Sequence, residues 1–307
     1  MRAGEYSRAI EQFNQAIDLA PTNAPFYIDR GMARWANHQL DEALADLDHA
    51  IALDPTSSVA FMERGDARAE MGEYDRAIDD FDEAVKLFPG NSRAYLTRGT
   101  IRLHRREYDR AIGDMAESVK LDPFCPLGLD RRGLAYELKG EHDRAMADFD
   151  RAIELDPNPG NATAFLRRAG AYQGTRDYGH AIQDLSRALE LEPKNFRALN
   201  SRCIAQAMTG AFDRALSDCN EALRTRPDDA QIRDSRGFTF LKMGSLDDAI
   251  ADFDAALQAD PKMAISLYER GVAKRLKGDI ASSKTDIAAA EGIRPNVADE
   301  MARYGIK

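Results

Sequence analysis

The sequence predicts an all-α protein made of stacked, antiparallel helix pairs, and three observations carry that expectation. Proline recurs at Pro21, Pro55, Pro89, Pro123, Pro157, Pro193, Pro227, Pro261 and Pro295, 34 residues apart at every step except Pro157 to Pro193, which is 36. Within each period, positions 8, 20 and 27 hold small residues. Large or aromatic side chains stand near positions 17 and 24, as Tyr74 and Phe81 do in the stretch Ser58 to Asn91. A fixed period of this length is the mark of a stacked-repeat architecture, in which each repeat contacts only its neighbours.

Taken in order, residues 1–23 match only the second half of a repeat, with Gly4, Tyr6, Ala9, Phe13 and Ala16 in register. The chain thus starts mid-repeat, and a truncated start is expected. Full repeats follow at 24–57, 58–91, 92–125, 126–159, 160–195, 196–229, 230–263 and 264–297, with a closing helix in 298–307. Two extra residues precede the fifth, in the run Asp156-Pro157-Asn158-Pro159-Gly160-Asn161, where a change of pitch or a hinge is expected. Asn161-Ala162-Thr163 has the form of a glycosylation sequon and is read as chance.

In the reference repeat, helix A is predicted over Ser58 to Met71 and helix B over Glu73 to Leu87. Gly72 separates them, and Gly140, Gly210, Gly244 and Gly278 recur at the same break, where a helix end favours positive φ. Asp75, Asp109, Asp143, Asp213 and Asp247 open helix B, where a carboxylate complements the helix dipole. The prolines end helix B, because proline cannot continue a helix and displaces the residue before it from the α region.

The small residues let helices A and B approach closely. Position 8 reads Gly31, Gly65, Gly99, Gly133, Ala169, Cys203, Gly237 and Gly271, and positions 20 and 27 are alanine with single serines. Two further positions are invariant within the chain. Position 7 is Arg30, Arg64, Arg98, Arg132, Arg168, Arg202, Arg236 and Arg270; position 23 is Asp46, Asp80, Asp114, Asp148, Asp184, Asp218, Asp252 and Asp286. A ladder of partly buried Arg–Asp pairs is expected, between helices A and B or between neighbouring repeats.

These residues together resemble the tetratricopeptide repeat family, in a variant with Arg-Gly at positions 7 and 8. The family's usual Trp at position 4 is absent. The resemblance covers nearly the whole chain and implies a right-handed superhelical solenoid whose helices A line a concave groove through positions 2, 5, 6, 9, 12 and 13. Carried onto this sequence, those positions give an apolar N-terminal stretch, Ile28, Met32, Trp35, Val59, Met62 and Leu96, and a basic central one, Arg93, His104, Arg131, Arg167 and Arg197. The arginines are expected to pair with nearby Asp66 or Asp130 or to hold an acidic segment. The lysine–asparagine clamp by which some relatives hold chaperone tails is missing, and Asn200 stands alone where others carry an asparagine ladder.

Composition narrows the function. With 42 basic and 52 acidic residues the net charge is -10, which argues against nucleic acid and against an RNA-binding array of similar period. No run of 18 apolar residues exists to span a membrane. The five histidines form no metal-ligand spacing, and no phosphate loop or nucleophile motif occurs. No enzyme activity and no cofactor are expected. The predicted function is a non-catalytic scaffold that holds a partner peptide or helix in its groove. The alternatives are the interaction arm of a larger enzyme or assembly complex, and self-association through residues 1–23. Cys125, Cys203 and Cys219 are expected as free thiols, which points to a reducing, cytoplasmic setting.

Overall fold

A computed structural model of the protein describes residues 3–156 and 162–306. The irregular joint around Pro157 to Asn161, with its expected change of pitch and the first residue of its sequon, lies outside the described residues. The chain divides into two compact halves, Met1–Leu155 and Asp156–Lys307.

Every regular element among the described residues is helical. The N-terminal half contains α1 (Ala3–Leu19), α2 (Ala24–Ala36), α3 (Leu40–Leu53), α4 (Ser58–Glu70), α5 (Tyr74–Leu87), α6 (Ser92–His104), α7 (Tyr108–Leu121), α8 (Pro126–Lys139) and α9 (His142–Leu155). The C-terminal half contains α10 (Thr163–Gly174), α11 (Tyr178–Leu191), α12 (Phe196–Met208), α13 (Phe212–Thr225), α14 (Ala230–Met243), α15 (Leu246–Ala259), α16 (Ala264–Leu276), α17 (Ile280–Ile293) and α18 (Val297–Ala302). Even-numbered helices up to α16 are the A helices and odd-numbered ones the B helices.

Local chemistry sets the ends of these helices. Ser57, Asn91, Asn195 and Asp229 cap their A helices by accepting a backbone N–H. Between A and B the backbone turns through the left-handed region, with φ of 79° to 90° at Gly72, Gly140, Gly210, Gly244 and Gly278. His38, Arg106 and Arg176 hold that conformation without being glycine, at φ of 60° to 64°. A polar side chain tolerates this at some cost, so the turn is fixed by the two helices it joins.

Inside each pair, the position-8 residue makes room for the large side chain at position 24. A Cβ on Gly65 would lie 3.0 Å from the Phe81 ring, and one on Gly133 or Gly237 only 2.7 Å from Phe149 or Phe253. All three phenylalanines are fully buried. Ala43, Ala77, Ala111, Ala181, Ala215 and Ala249 at position 20 are also fully buried. Added bulk at these positions overpacks the contact.

The sixth repeat departs from this. Cys203 and Cys219 occupy positions 8 and 24 with a Cα–Cα distance of 5.6 Å and are joined in a disulfide between α12 and α13. The expectation of free thiols is corrected for this pair, because positions 8 and 24, which pack against each other in the glycine-bearing repeats, both carry sulfur here. The reducing, cytoplasmic setting drawn from free thiols loses that support. Cys125, the N-cap residue of α8, is the free cysteine.

Stacking follows one rule in both halves. Within each half, a B helix packs on the A helix before it, α1 apart, and on the A helix that follows it in that half, and consecutive A helices also touch. Among the described residues consecutive B helices make no contact. The A helices therefore form the tighter, inner layer. At the far end α18 packs on α16 and α17, burying Val297 and Met301, with Ile306 beyond it.

Candidate functional site

The inner layer is the surface to which the groove positions belong, and its geometry begins with what holds the A helices in place. In all eight repeats the position-7 arginine donates Nη2 to the position-23 aspartate at 2.6–2.8 Å and Nε to the same carboxylate at 2.7–3.1 Å. The two donors of one guanidinium thus grip one carboxylate, a charge-assisted geometry that fixes direction as well as distance. The remaining nitrogen, Nη1, reaches back to the preceding B helix. It meets Asp48 from Arg64, Asp82 from Arg98 and Asp254 from Arg270 at 2.6–2.7 Å, and Asn14, Ser186 and Asn220 from Arg30, Arg202 and Arg236 at 2.7–3.0 Å. One arginine therefore ties a helix pair together and also ties it to its neighbour. Arg34, Arg68, Arg102 and Lys274, one turn further along helix A, add a second cation to Asp46, Asp80, Asp114 and Asp286.

On the inner face of the N-terminal half, the apolar stretch is only partly accessible. Ile28 and Met62 are buried, packed into the core clusters below. Leu96 is half-buried against the core cluster of Leu103, Ala111, Met115 and Ala135. Met32 and Val59 are exposed, at 36% and 46%. Trp35 is half-buried, and its indole N–H donates to Glu70. The open apolar strip is therefore Met32, Trp35 and Val59.

The basic positions fall on both halves. Arg93 donates to Glu63 at 3.2 Å and also pairs with Asp66. His104 is exposed and Arg131 half-buried. In the C-terminal half Arg167 is half-buried, and burial holds its guanidinium below the usual range. Arg197 is exposed with its guanidinium 5.7 Å from the Phe196 ring centre, and Arg226 lies 4.6 Å from the same ring. Arg93 is thus spoken for by acids of the neighbouring helix.

The residues that sequence reasoning missed are acids on the inner positions of helix A. Glu63 is 3% exposed; burial raises its carboxyl above the ordinary range, and Arg93 works against that rise. Asp66, named by the sequence as an arginine partner, is raised by burial in the same way and opposed by the same arginine. In the C-terminal half Asp234 at position 5 is pushed up to about 6 by burial, and it accepts a hydrogen bond from the Ser266 hydroxyl. Glu269 at position 6 is 1% exposed and is raised well above the ordinary range, first by burial and then by the charge of Asp234. Both line a cavity of about 180 Å³ with Ile204, Phe238, Ile265 and Met301. For Asp66 and Asp234 an acid at a position that most repeats give to apolar or neutral side chains was the available signal; position 6, which holds Glu63 and Glu269, is charged in five of the eight repeats and offers none.

Among the described residues no group of three or more His, Cys, Asp or Glu could hold a metal ion, and no helix is long and apolar enough to cross a membrane.

The model of the tetratricopeptide repeat family matches residues 1–58, 62–126, 166–230 and 237–296, and a second tetratricopeptide repeat model matches 131–159. No curated protein sequence matches the chain. Among solved structures, a tetratricopeptide repeat protein from Parabacteroides merdae aligns with a TM-score of 0.67 at 21% identity, over 82% of this chain and 99% of its own. A chain of the APC/C hetero-tetramer Cut9–Hcn1 aligns with a TM-score of 0.65 at 16% identity, over 97% of this chain and 58% of its own. YrrB, described as a TPR protein with an unusual peptide-binding site, aligns with a TM-score of 0.55 at 24% identity, over 63% of this chain and 98% of its own. At these identities the likeness is one of fold.

Proposed function

The chain belongs to the tetratricopeptide repeat family, a scaffold for protein–protein interaction, and on that premise we propose that its inner A-helix layer holds an extended or helical segment of a partner protein. Repeats of this family are in general non-catalytic, and the ladder arginines are consumed by structure rather than left for chemistry. The observation that carries the proposal is the open strip of Met32, Trp35 and Val59 on the layer where consecutive A helices meet. Large apolar side chains left accessible beside a polar rim are what a partner's anchor residues use. YrrB, with its peptide-binding site, offers a parallel for this use of the fold.

Trp35 is the sole tryptophan, so its emission reports on this strip alone. Peptides selected from a random display library on the intact protein should shift that emission on binding. Trp35→Ala should weaken them by about 30-fold, the equivalent of the roughly 2 kcal/mol lost at a binding hot spot. Peptides that bind Trp35→Ala as tightly as the unaltered protein would move the partner off this strip.

A further inference from the structure

The cavity between α12, α14, α16 and α18 has a composition unlike the rest of the inner layer. Three acids line it, Asp234, Glu269 and Glu300, among Ile204, Phe238, Ile265 and Met301, and Glu300 is paired with Arg294. The Oε2 atom of Glu269 is buried and has no hydrogen-bond partner among the described residues. A buried carboxyl oxygen without a partner is costly, and native proteins rarely leave one so unless something else completes it.

Two cations on the surrounding segments are engaged with groups other than Asp234 and Glu269. Lys242 on α14 donates its Nζ to the Tyr304 carbonyl at 3.1 Å, and Arg294 pairs with Glu300 at 3.0 Å. The protein supplies its own template for the missing group. At Glu63, also position 6 of its repeat, the residue thirty positions later is Arg93, and its guanidinium bridges Glu63 and Asp66. The same thirty-residue offset from Glu269 falls on Asp299, an acid on α18. Glu269 therefore repeats the Glu63 position without the arginine, while the counterpart of Asp66 is Val272 and the second carboxylate comes from Asp234 on α14.

We propose that this cavity receives the side chain of an arginine from the bound partner, its guanidinium between Asp234 and Glu269 and its aliphatic stem against Ile204, Phe238 and Ile265. This rests on the partner-binding reading of the inner layer, deepens it to one residue type, and adds a site in the other half of the chain from Trp35. An arginine rather than a lysine fits, because two carboxylates on neighbouring helices suit a planar, forked donor.

Binding a cation favours the ionised carboxylates. The titratable and charged groups around the site are Asp234, Glu269, Glu300 with its Arg294 partner, Tyr304, and Lys242. Burial raises Asp234 and Glu269, so entry of a guanidinium releases protons, and affinity rises as pH climbs from about 5 towards 8.

The test uses the full chain with methyl-labelled methionine and follows the Met301 resonance, since Met301 lines the cavity. n-Butylguanidinium should shift that resonance, and the neutral isostere n-butylurea should not. Glu269→Gln, which keeps the shape and removes the charge, should weaken n-butylguanidinium at least tenfold, as should Asp234→Asn. N-acetyl-Ala-Arg-Ala-amide should compete for the site. No shift with n-butylguanidinium, or equal binding to Glu269→Gln, overturns the site. Equal or tighter binding of n-butylammonium overturns the choice of arginine. Exclusion of the peptide while n-butylguanidinium binds would assign the cavity to a free small guanidinium. These readouts do not depend on Trp35, so failure of the groove peptides and failure of this cavity are separately visible.

Discussion

The two halves share one ladder and differ in how fully they satisfy it. In the N-terminal half Asp46, Asp80 and Asp114 each take two arginines, the position-7 residue and Arg34, Arg68 or Arg102 one turn on, while Asp148 has Arg132 with Tyr136 in the second place. In the C-terminal half that second place is Tyr172, Gln206 and Phe240, and only Lys274 at the last repeat restores a cation. The inner faces diverge in the same direction. Buried Glu63 and Asp66 are answered by Arg93, whereas Asp234 and Glu269 face a cavity. The invariant positions thus build a common frame. The variable neighbours decide where charge is closed off and where it is left for something else to meet.

The sharpest way to break this contrast is to remove one rung from each half. Asp252 draws on Arg236 alone among the described residues. Arg236→Met should therefore strand a buried carboxylate and cost about 3–5 kcal/mol. Arg98→Met leaves Asp114 with Arg102 and should cost less, about 1–3 kcal/mol. Urea denaturation of the two variants compares them directly. Equal losses would mean that the second arginine contributes nothing.

The next largest effect sharpens the core side of the contrast. Where the N-terminal half packs Phe81 over Gly65, the C-terminal half has the Cys203–Cys219 disulfide across a sequence separation of 16. Closing a loop of that length restricts the unfolded chain, and losing the bridge in Cys203→Ala with Cys219→Ala should cost about 3 kcal/mol. Cys203→Gly with Cys219→Phe rebuilds the arrangement of the other repeats and should lose less. A urea midpoint for the native protein that does not move on adding reductant would show that the bridge does not contribute.

What was legible in the sequence was whatever the period enforces. Gly65, Ala77, Arg64 and Asp80 recur because each successive helix pair presents the same environment, so one repeat read closely stands for the rest. Cys203 and Cys219 were recognised as core positions of one repeat. Their bonding was missed because the direct meeting of positions 8 and 24 was not drawn from the Gly–Phe pattern of the other repeats. Ile28 and Met62 were placed on the groove by position, and packing drew them under it. Asp234 and Glu269 were missed for a different reason. A solvated acid and a buried one look alike in a sequence in which acids are plentiful, and what buries this pair is a lining drawn from α12, α14, α16 and the short α18, which no periodic pattern announces.

The smallest predicted effect tests whether those acids are truly left open. The Asp234 carboxyl is ordinary in the unfolded chain, with a pKa near 3.8, and is pushed up to about 6 in the fold by burial. Below about pH 4 it is protonated in both states and costs nothing. Between pH 4 and 6 the unfolded chain releases the proton while the folded chain keeps it, so stability falls as pH rises, and above 6 the cost is constant. With allowance for partial exposure, this amounts to about 1–2 kcal/mol at pH 7. Asp234→Asn should therefore stabilise the protein by about that much at pH 7 and by nothing near pH 4. Asp66→Asn in the other half should gain less at pH 7, because there Arg93 offsets part of the cost of burying the carboxylate. Thermal melts of the two variants at pH 4.5 and 7 measure both gains together. If Asp234→Asn were destabilising at pH 7, Asp234 would have to be engaged by a cation of the protein itself, and the contrast between the two inner faces would collapse.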